Sequence, residues 1–236
     1  LYKDGRMTEK LTTEKIEEIG RHYENIQSGK TPILKSEKEM SAHLDVSKLM
    51  EKKDEKTILP LIPPTDPRLL MQIAPFEDST LEQFKLKDRK ELGKIMYDTM
   101  VKYGGLGLSC NQVGLPYRMF VMGGHPKIED GKVRYVFNPL VNDVSEETIV
   151  FKEGCLSFPF LFLSIKRPKW VSIKYTDENN EEIEETLHSM SARIFQHENE
   201  HMNGYLFTDL VSKFKLDRAK KAQKKLIKET IRKRNG

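Results

Sequence analysis

The sequence predicts an α+β fold, with antiparallel or mixed β-sheets packed around a central helix that carries a His-Glu-x-x-His motif, and a basic helix at the C-terminus. Three observations predict it. Five short runs of β-branched and aromatic residues lie between positions 118 and 187, a helical segment follows them and ends at Gly204, and residues 212–236 hold eleven Lys and Arg against two acids. The net charge of +4 therefore hides a +9 tail on a chain that is otherwise −5.

In chain order, residues 1–57 are rich in Lys and Glu and poor in aliphatic side chains, which reads as a charged N-terminal extension. Its one amphipathic feature is Ile16, Ile19, Tyr23 and Ile26 at helical spacing. Composition changes at Ile58. The run Ile58-Leu59-Pro60-Leu61-Ile62-Pro63-Pro64 suits an extended strap lying on a core, and the main domain is expected over 58–211. Asp88 is placed to cap a helix whose Leu92, Ile95, Met96, Thr99 and Met100 recur at helical spacing until Gly104-Gly105 stops it. A glycine-rich loop comes next. Residues 118–122, 133–137, 148–151, 170–175 and 181–187 read as strands, the last two joined by a turn over 177–180, and the apolar stretch 158–163 reads as a loop. The second helix starts between Ser189 and Ser191 and carries Ile194 and Phe195. The tail, 212–236, spaces Leu216, Ala219, Leu226 and Ile227 along a single apolar edge.

Composition narrows the class. Hydrophobic residues make up 37% and charged ones 32%, so a core is available beside much solvated surface. No apolar run approaches the ~20 residues a spanning helix needs, and the first thirty residues lack a signal-peptide core, so no membrane role is expected. Two cysteines, Cys110 and Cys155, give no disulfide framework, and each is judged as a small core residue or a ligand.

The chemistry concentrates in His197-Glu198-Asn199-Glu200-His201. Four residues apart on a helix, two imidazoles share one face about a turn from each other, and Glu198 beside the first reaches a metal-bound water. Such a pair suits metal-assisted hydrolysis. A third ligand decides the subclass. The metzincin extension would place a His where this chain has Phe207, and a downstream glutamate ligand is offered only by a Lys-rich run. Upstream stands Glu153-Gly154-Cys155-Leu156-Ser157, whose thiolate is a strong ligand for a divalent ion. Gly105-Leu106-Gly107-Leu108-Ser109-Cys110-Asn111-Gln112 is neither a dinucleotide fingerprint nor a phosphate loop. It offers a tight backbone that can pair with an extended peptide and a side-chain amide that can donate to an oxyanion.

Together, in this order, the three segments resemble the peptide deformylase family, whose signatures are a Gly-φ-Gly loop ending in Gln, Glu-Gly-Cys-Leu-Ser and Gln-His-Glu-x-Asp-His. Thr65-Asp66-Pro67-Arg68-Leu69, Arg167 and Asn203-Gly204-Tyr205-Leu206-Phe207 extend the likeness over about 58–215. The chain departs from the pattern at Glu200, where the family has Asp, at Cys110 and Asn111, and in the apolar character of 158–163.

The resemblance implies a hydrolase that removes the N-formyl group from the N-terminal formylmethionine of nascent polypeptides, releasing formate. Cys155, His197 and His201 would hold the metal, and Glu198 would act as general base and acid on the attacking water. Gln112 and the Leu156 N–H would meet the oxyanion. Gly105, Leu106, Gly107, Glu153 and Gly154 would bind the peptide, and Arg167 and Glu200 would support the ligands from behind. Fe²⁺ is the expected metal, with Zn²⁺, Ni²⁺ and Co²⁺ also suited to one thiolate and two imidazoles. Expected partners are formylated nascent peptides, with ribosomal RNA at the basic tail. A monomer is expected, in the cytoplasm of a bacterium or phage-infected cell or in an organelle. A zinc endopeptidase and a metal-free RNA-binding module are the competing readings.

Overall fold

A computed structural model describes Met50 and residues 57–234. The amphipathic stretch Ile16 to Ile26 lies outside the described residues. Among the described residues, seven strands form two antiparallel sheets. The larger has the order β1 (Gly107–Ser109), β2 (Met119–Gly123), β3 (Val133–Val144), β6 (Trp170–Thr176), β7 (Glu182–His188), and the smaller is the hairpin of β4 (Thr148–Cys155) and β5 (Phe158–Pro168). Among the described residues, α1 (Arg89–Lys102), α2 (Ser189–Met202) and α3 (Lys213–Arg234) accompany them.

β2 shows why α2 is central. Each of its five residues is buried, and the two-residue period of a strand sends alternate side chains to opposite cores. Met119 and Val121 join Leu92, Ile95, Met96 and Met100 of α1, while Phe120 and Met122 join Ala192, Ile194, Phe195 and Met202 of α2. The large sheet is thus held between the two helices. Met50 is part of the α1 core together with Leu59, although the composition placed it in the extension before residue 58. A third cluster, Cys155, Leu161, Leu163, Ile165 and Phe207, fills the space under the β4–β5 hairpin, and Leu216 and Ala219 of α3 close it.

The helix signals hold in detail. The Asp88 carboxylate accepts from the Glu91 N–H at 2.8 Å, α1 stops before Gly104 at φ +71°, and α2 stops before Gly204 at φ +76°. A Cβ at Gly204 would also lie 2.7 Å from the Leu70 carbonyl, so that turn excludes side chains twice over.

Three readings need correction. The apolar stretch 158–163 is not a loop but the first half of β5, because Leu161 and Leu163 point inward while Phe160 and Phe162 stand 43% and 46% exposed. Both faces being apolar, no alternation shows in the sequence. The Gly-rich segment contributes an edge strand, β1, rather than loop alone. Finally, β3 and β4 run on to Val144 and Cys155; in β3, Asn138 at φ +50° and Pro139 create a register shift that looks like a strand end.

Candidate metal centre

α2 carries the motif through the middle of the molecule, and every residue from Ser191 to Met202 is buried. The four-residue spacing puts the His197 and His201 rings 5.1 Å apart. β4 ends at Cys155, whose Sγ lies 3.2 Å from Nε2 of His201. One potential ligand atom from each of Cys155, His197 and His201 falls within 4.8 Å of the others, the cluster with such geometry among the described residues. A thiolate and two imidazoles so arranged fit a four-coordinate divalent ion with one position left over. One buried oxygen without a partner stands beside it, Oε2 of Glu198.

The imidazoles differ in their surroundings. Burial, and then the neighbouring His197, pull His201 down to about 3, so its ring is neutral and free to coordinate. His197 gives Nδ1 to Oε2 of Glu153 at 3.2 Å, which leaves Nε2 for a ligand role, the carboxylate–histidine arrangement typical of metal sites. Burial alone would raise the Glu153 carboxyl, but the Arg167 charge and His197 hold it far below the usual carboxylate range.

Behind the ligands is an ion network. Arg167 grips Glu153 with Nε at 2.7 Å and Nη2 at 2.9 Å, and it reaches Oε2 of Glu200 with Nη2 at 3.0 Å. The longer Glu200 carboxylate, where the family pattern has Asp, therefore makes a direct ion pair on the inner side of α2. Arg193 adds a second guanidinium, bonded to Glu153, to the Ile165 carbonyl at 3.1 Å and to the Ile149 carbonyl at 2.7 Å.

On the opposite side, the Gln112 amide is fixed at both ends. Its oxygen accepts from the Ser109 N–H at 3.0 Å and hydroxyl at 2.9 Å, while its nitrogen donates to Cys155 Sγ at 3.3 Å and to Ser157 Oγ at 3.1 Å. Glu198 is buried, and burial pushes its carboxyl up to about 7. That carboxylate leans against β1, where a Cβ on Gly107 would be 2.5 Å from Oε1. Leu156 covers Gly105 in the same close manner, with Cδ1 2.7 Å from where a Cβ would stand.

The structure thus gathers Gln112, Cys155, His197, Glu198 and His201 at one buried point, with Gly105, Gly107, Glu153, Gly154, Leu156, Arg167 and Glu200 around it. Leu106 packs instead with the α2 core. Sequence reasoning missed Arg193, Ser109, Asn111 and Arg118. Asn111 donates to the His201 carbonyl at 2.9 Å and Arg118 to the Met202 carbonyl at 3.0 Å, so both secure the C-terminal end of α2. Only Arg193 left a visible signal: it stands one helical turn before His197, on the same face as both histidines.

Comparison with known proteins agrees with this centre. The family model described as polypeptide deformylase matches residues 58–217. A peptide deformylase of Wolbachia pipientis subsp. Culex pipiens is 42% identical over 170 residues, covering 66% of this chain and 95% of the relative. Among solved structures, the Ehrlichia chaffeensis peptide deformylase is similar with a TM-score of 0.62 at 34% identity, over 73% of this chain and 99% of that one. The Thermotoga maritima peptide deformylase gives 0.58 at 36% identity, over 66% and 98%. Because the matched region contains all three motif segments and the fold that unites them on one buried centre, the chain belongs to the peptide deformylase family.

Proposed function

We propose that Cys155, His197 and His201 hold one divalent ion, Fe²⁺ in the cell, and that Glu198 moves the protons of the reaction. The activity is that of the family: metal-dependent removal of the N-formyl group from nascent peptides. A divalent ion supplies Lewis acidity at such a site, polarising a carbonyl and making water more acidic. The same three donors accept Zn²⁺, Ni²⁺ or Co²⁺.

The observation that carries this reading is Glu198, enclosed, with one oxygen unpartnered and its carboxyl near 7. A group so poised takes a proton from the attacking water and gives one to the departing amine at neutral pH. Gln112 and the backbone N–H of Leu156 stand beside Cys155 as donors for the developing oxyanion. The Gln112 amide, here turned to Cys155 and Ser157, reaches substrate by exchanging one of those bonds. β1 is the edge strand of its sheet, so the Gly105 to Gly107 backbone is available to an added peptide strand, with Gly154 on the neighbouring hairpin as a further contact in this reading. Residues 58–211 form the body of the catalytic domain in this reading, with Met50 contributing to its core from before residue 58 and Leu216 and Ala219 from the tail.

The test is amine release from a formyl-Met peptide by anaerobically purified protein loaded with Fe²⁺, beside a Glu198→Gln variant. The rate is expected to fall by ~10²–10⁴ in the variant with metal content unchanged. A variant of undiminished rate would remove Glu198 from the mechanism, and cleavage at internal peptide bonds would favour an endopeptidase.

For the tail we propose ribosomal RNA as the partner. Leu216, Ala219 and Gln223 of α3 turn toward the hairpin, Gln223 donating to the Pro159 carbonyl at 2.7 Å, while Lys215, Lys220, Lys221, Lys224 and Lys225 remain exposed. Co-sedimentation with ribosomes should weaken steeply with salt. Salt-insensitive or absent co-sedimentation argues for a merely solvated helix.

A further inference from the structure

We propose that Arg193 is a positioning residue of the metal centre, acting on His197 through Glu153. The proposal rests on Cys155, His197 and His201 being the ligands, and goes beyond it by assigning a role to a residue outside that set.

Arg193 belongs to α2 but reaches away from it, to β4 and β5. Its guanidinium is 3% exposed at the residue level and touches three groups: the Glu153 carboxylate on β4, the Ile149 carbonyl on β4 and the Ile165 carbonyl on β5. It also lies over the Phe151 ring, 4.8 Å from the centroid. A planar fork held at this many points has little freedom left. It fixes the direction from which Glu153 is approached.

Glu153 needs that second clamp. One of its oxygens serves Arg167 Nε and Arg193 Nη1, and the other serves Arg167 Nη2 and the His197 ring at 3.2 Å. Arg167 is itself shared with Glu200. Without Arg193, a single guanidinium would divide its donors between two buried carboxylates, and Glu153 could swing toward Arg167 and leave His197. Arg193 also adds a second buried guanidinium beside the carboxylates of Glu153 and Glu200. The oriented carboxylate sets which ring nitrogen of His197 carries the proton and how the ring is turned.

A merely structural arginine predicts something different. Arg193 joins α2 to the β4–β5 hairpin, so its loss lowers stability on either view. A readout at the metal separates them. Co²⁺ serves as the probe, since its visible bands respond to ligand geometry. The unaltered protein, Arg193→Met and Phe120→Leu are loaded with Co²⁺, the last being a core change on the far side of α2, against Phe195. Bands, thermal midpoint and rate of metal loss to excess chelator are recorded for each.

Arg193→Met should shift the bands and lose Co²⁺ about tenfold faster or more, whereas Phe120→Leu lowers the midpoint with bands and loss rate unchanged. Bands and loss rate in Arg193→Met equal to those of the unaltered protein overturn the proposal, whatever the midpoint does. If Arg193→Met does not fold, Arg193→Lys decides. An ammonium restores charge with one point of contact in place of the fork, so a smaller shift in the same direction supports the proposal and identity with the unaltered protein overturns it. Failure of the unaltered protein to take up Co²⁺ overturns the ligand assignment as well, and is thereby distinguished from failure of Arg193 alone.

Discussion

A Cβ at Gly107 would stand 2.5 Å from Oε1 and 2.8 Å from Cγ of Glu198, so the β1 backbone and this carboxylate share space that only glycine leaves empty. The atoms in the way belong to the end of a side chain, which can give without unfolding anything. What would be lost is the placement of the group proposed to move the protons. Gly107→Ala is therefore expected to leave the thermal midpoint within a few degrees and to lower kcat by roughly 10²-fold, the scale of an ångström's misplacement at a reacting centre. Formate release and a melting curve on the same preparation check both halves. A large drop in midpoint with normal kcat would show the clash to be taken up by the backbone instead.

At the scale of the element, α2 is fixed by its neighbours rather than by its own caps. His188 provides no side-chain cap at the start of the helix; Ser191 Oγ donates instead to Glu129 at 2.7 Å, and Glu129 is paired with Arg134 of β3. Arg134 also grips Glu185 of β7, with Nε at 2.7 Å and Nη2 at 2.9 Å. For Glu129, the Arg134 hydrogen bond holds the carboxyl below its ordinary value; for Glu185, burial raises it but Arg134 more than compensates. Folded-state values below the unfolded ones mean that this stabilisation is present above the unfolded pKa of about 4.3 and is lost as pH falls through the folded values. Urea midpoints of the unaltered protein and Arg134→Met should accordingly differ most near pH 7 and converge below about pH 4. A constant difference across that range would assign the effect to packing of the Arg134 side chain.

The same scale shows what was legible in the sequence. His197 and His201 lie within one helical turn, and Cys155 sits in a short run of distinctive neighbours, so local spacing was enough to find them. The spacing of Arg193 from His197 shows only that it shares the histidine face; its partners, Glu153, Ile149 and Ile165, come from the two strands of a hairpin, and no spacing along the chain encodes that meeting. β5 was missed for the opposite reason. Phe160 and Phe162 on one face and Leu161 and Leu163 on the other are all apolar, and a period of two cannot be seen when both phases look alike. α1 was read closely because its cap, its apolar spacing and its glycine stop are each local.

Across the whole molecule, the large sheet lies between α1 and α2, while the β4–β5 hairpin stands apart and is covered on one side by α3. The other side of the hairpin bears Val150, Phe160 and Phe162, all exposed, with the Lys152 ammonium 5.0 Å from the centroid of the Phe162 ring. Phe160 sits there at φ +63°, in the register shift of the hairpin, a conformation that a bulky residue adopts only at a cost of about 1–2 kcal/mol. It is thus unfavourable twice, in its backbone and in its contact with water. The colloidal behaviour of the enzyme follows from this. Asparagine tolerates the left-handed region and carries no apolar surface, so Phe160→Asn should raise the thermal midpoint by ~2–8 °C and, by shrinking the patch through which molecules stick to one another, raise the concentration at which the protein precipitates.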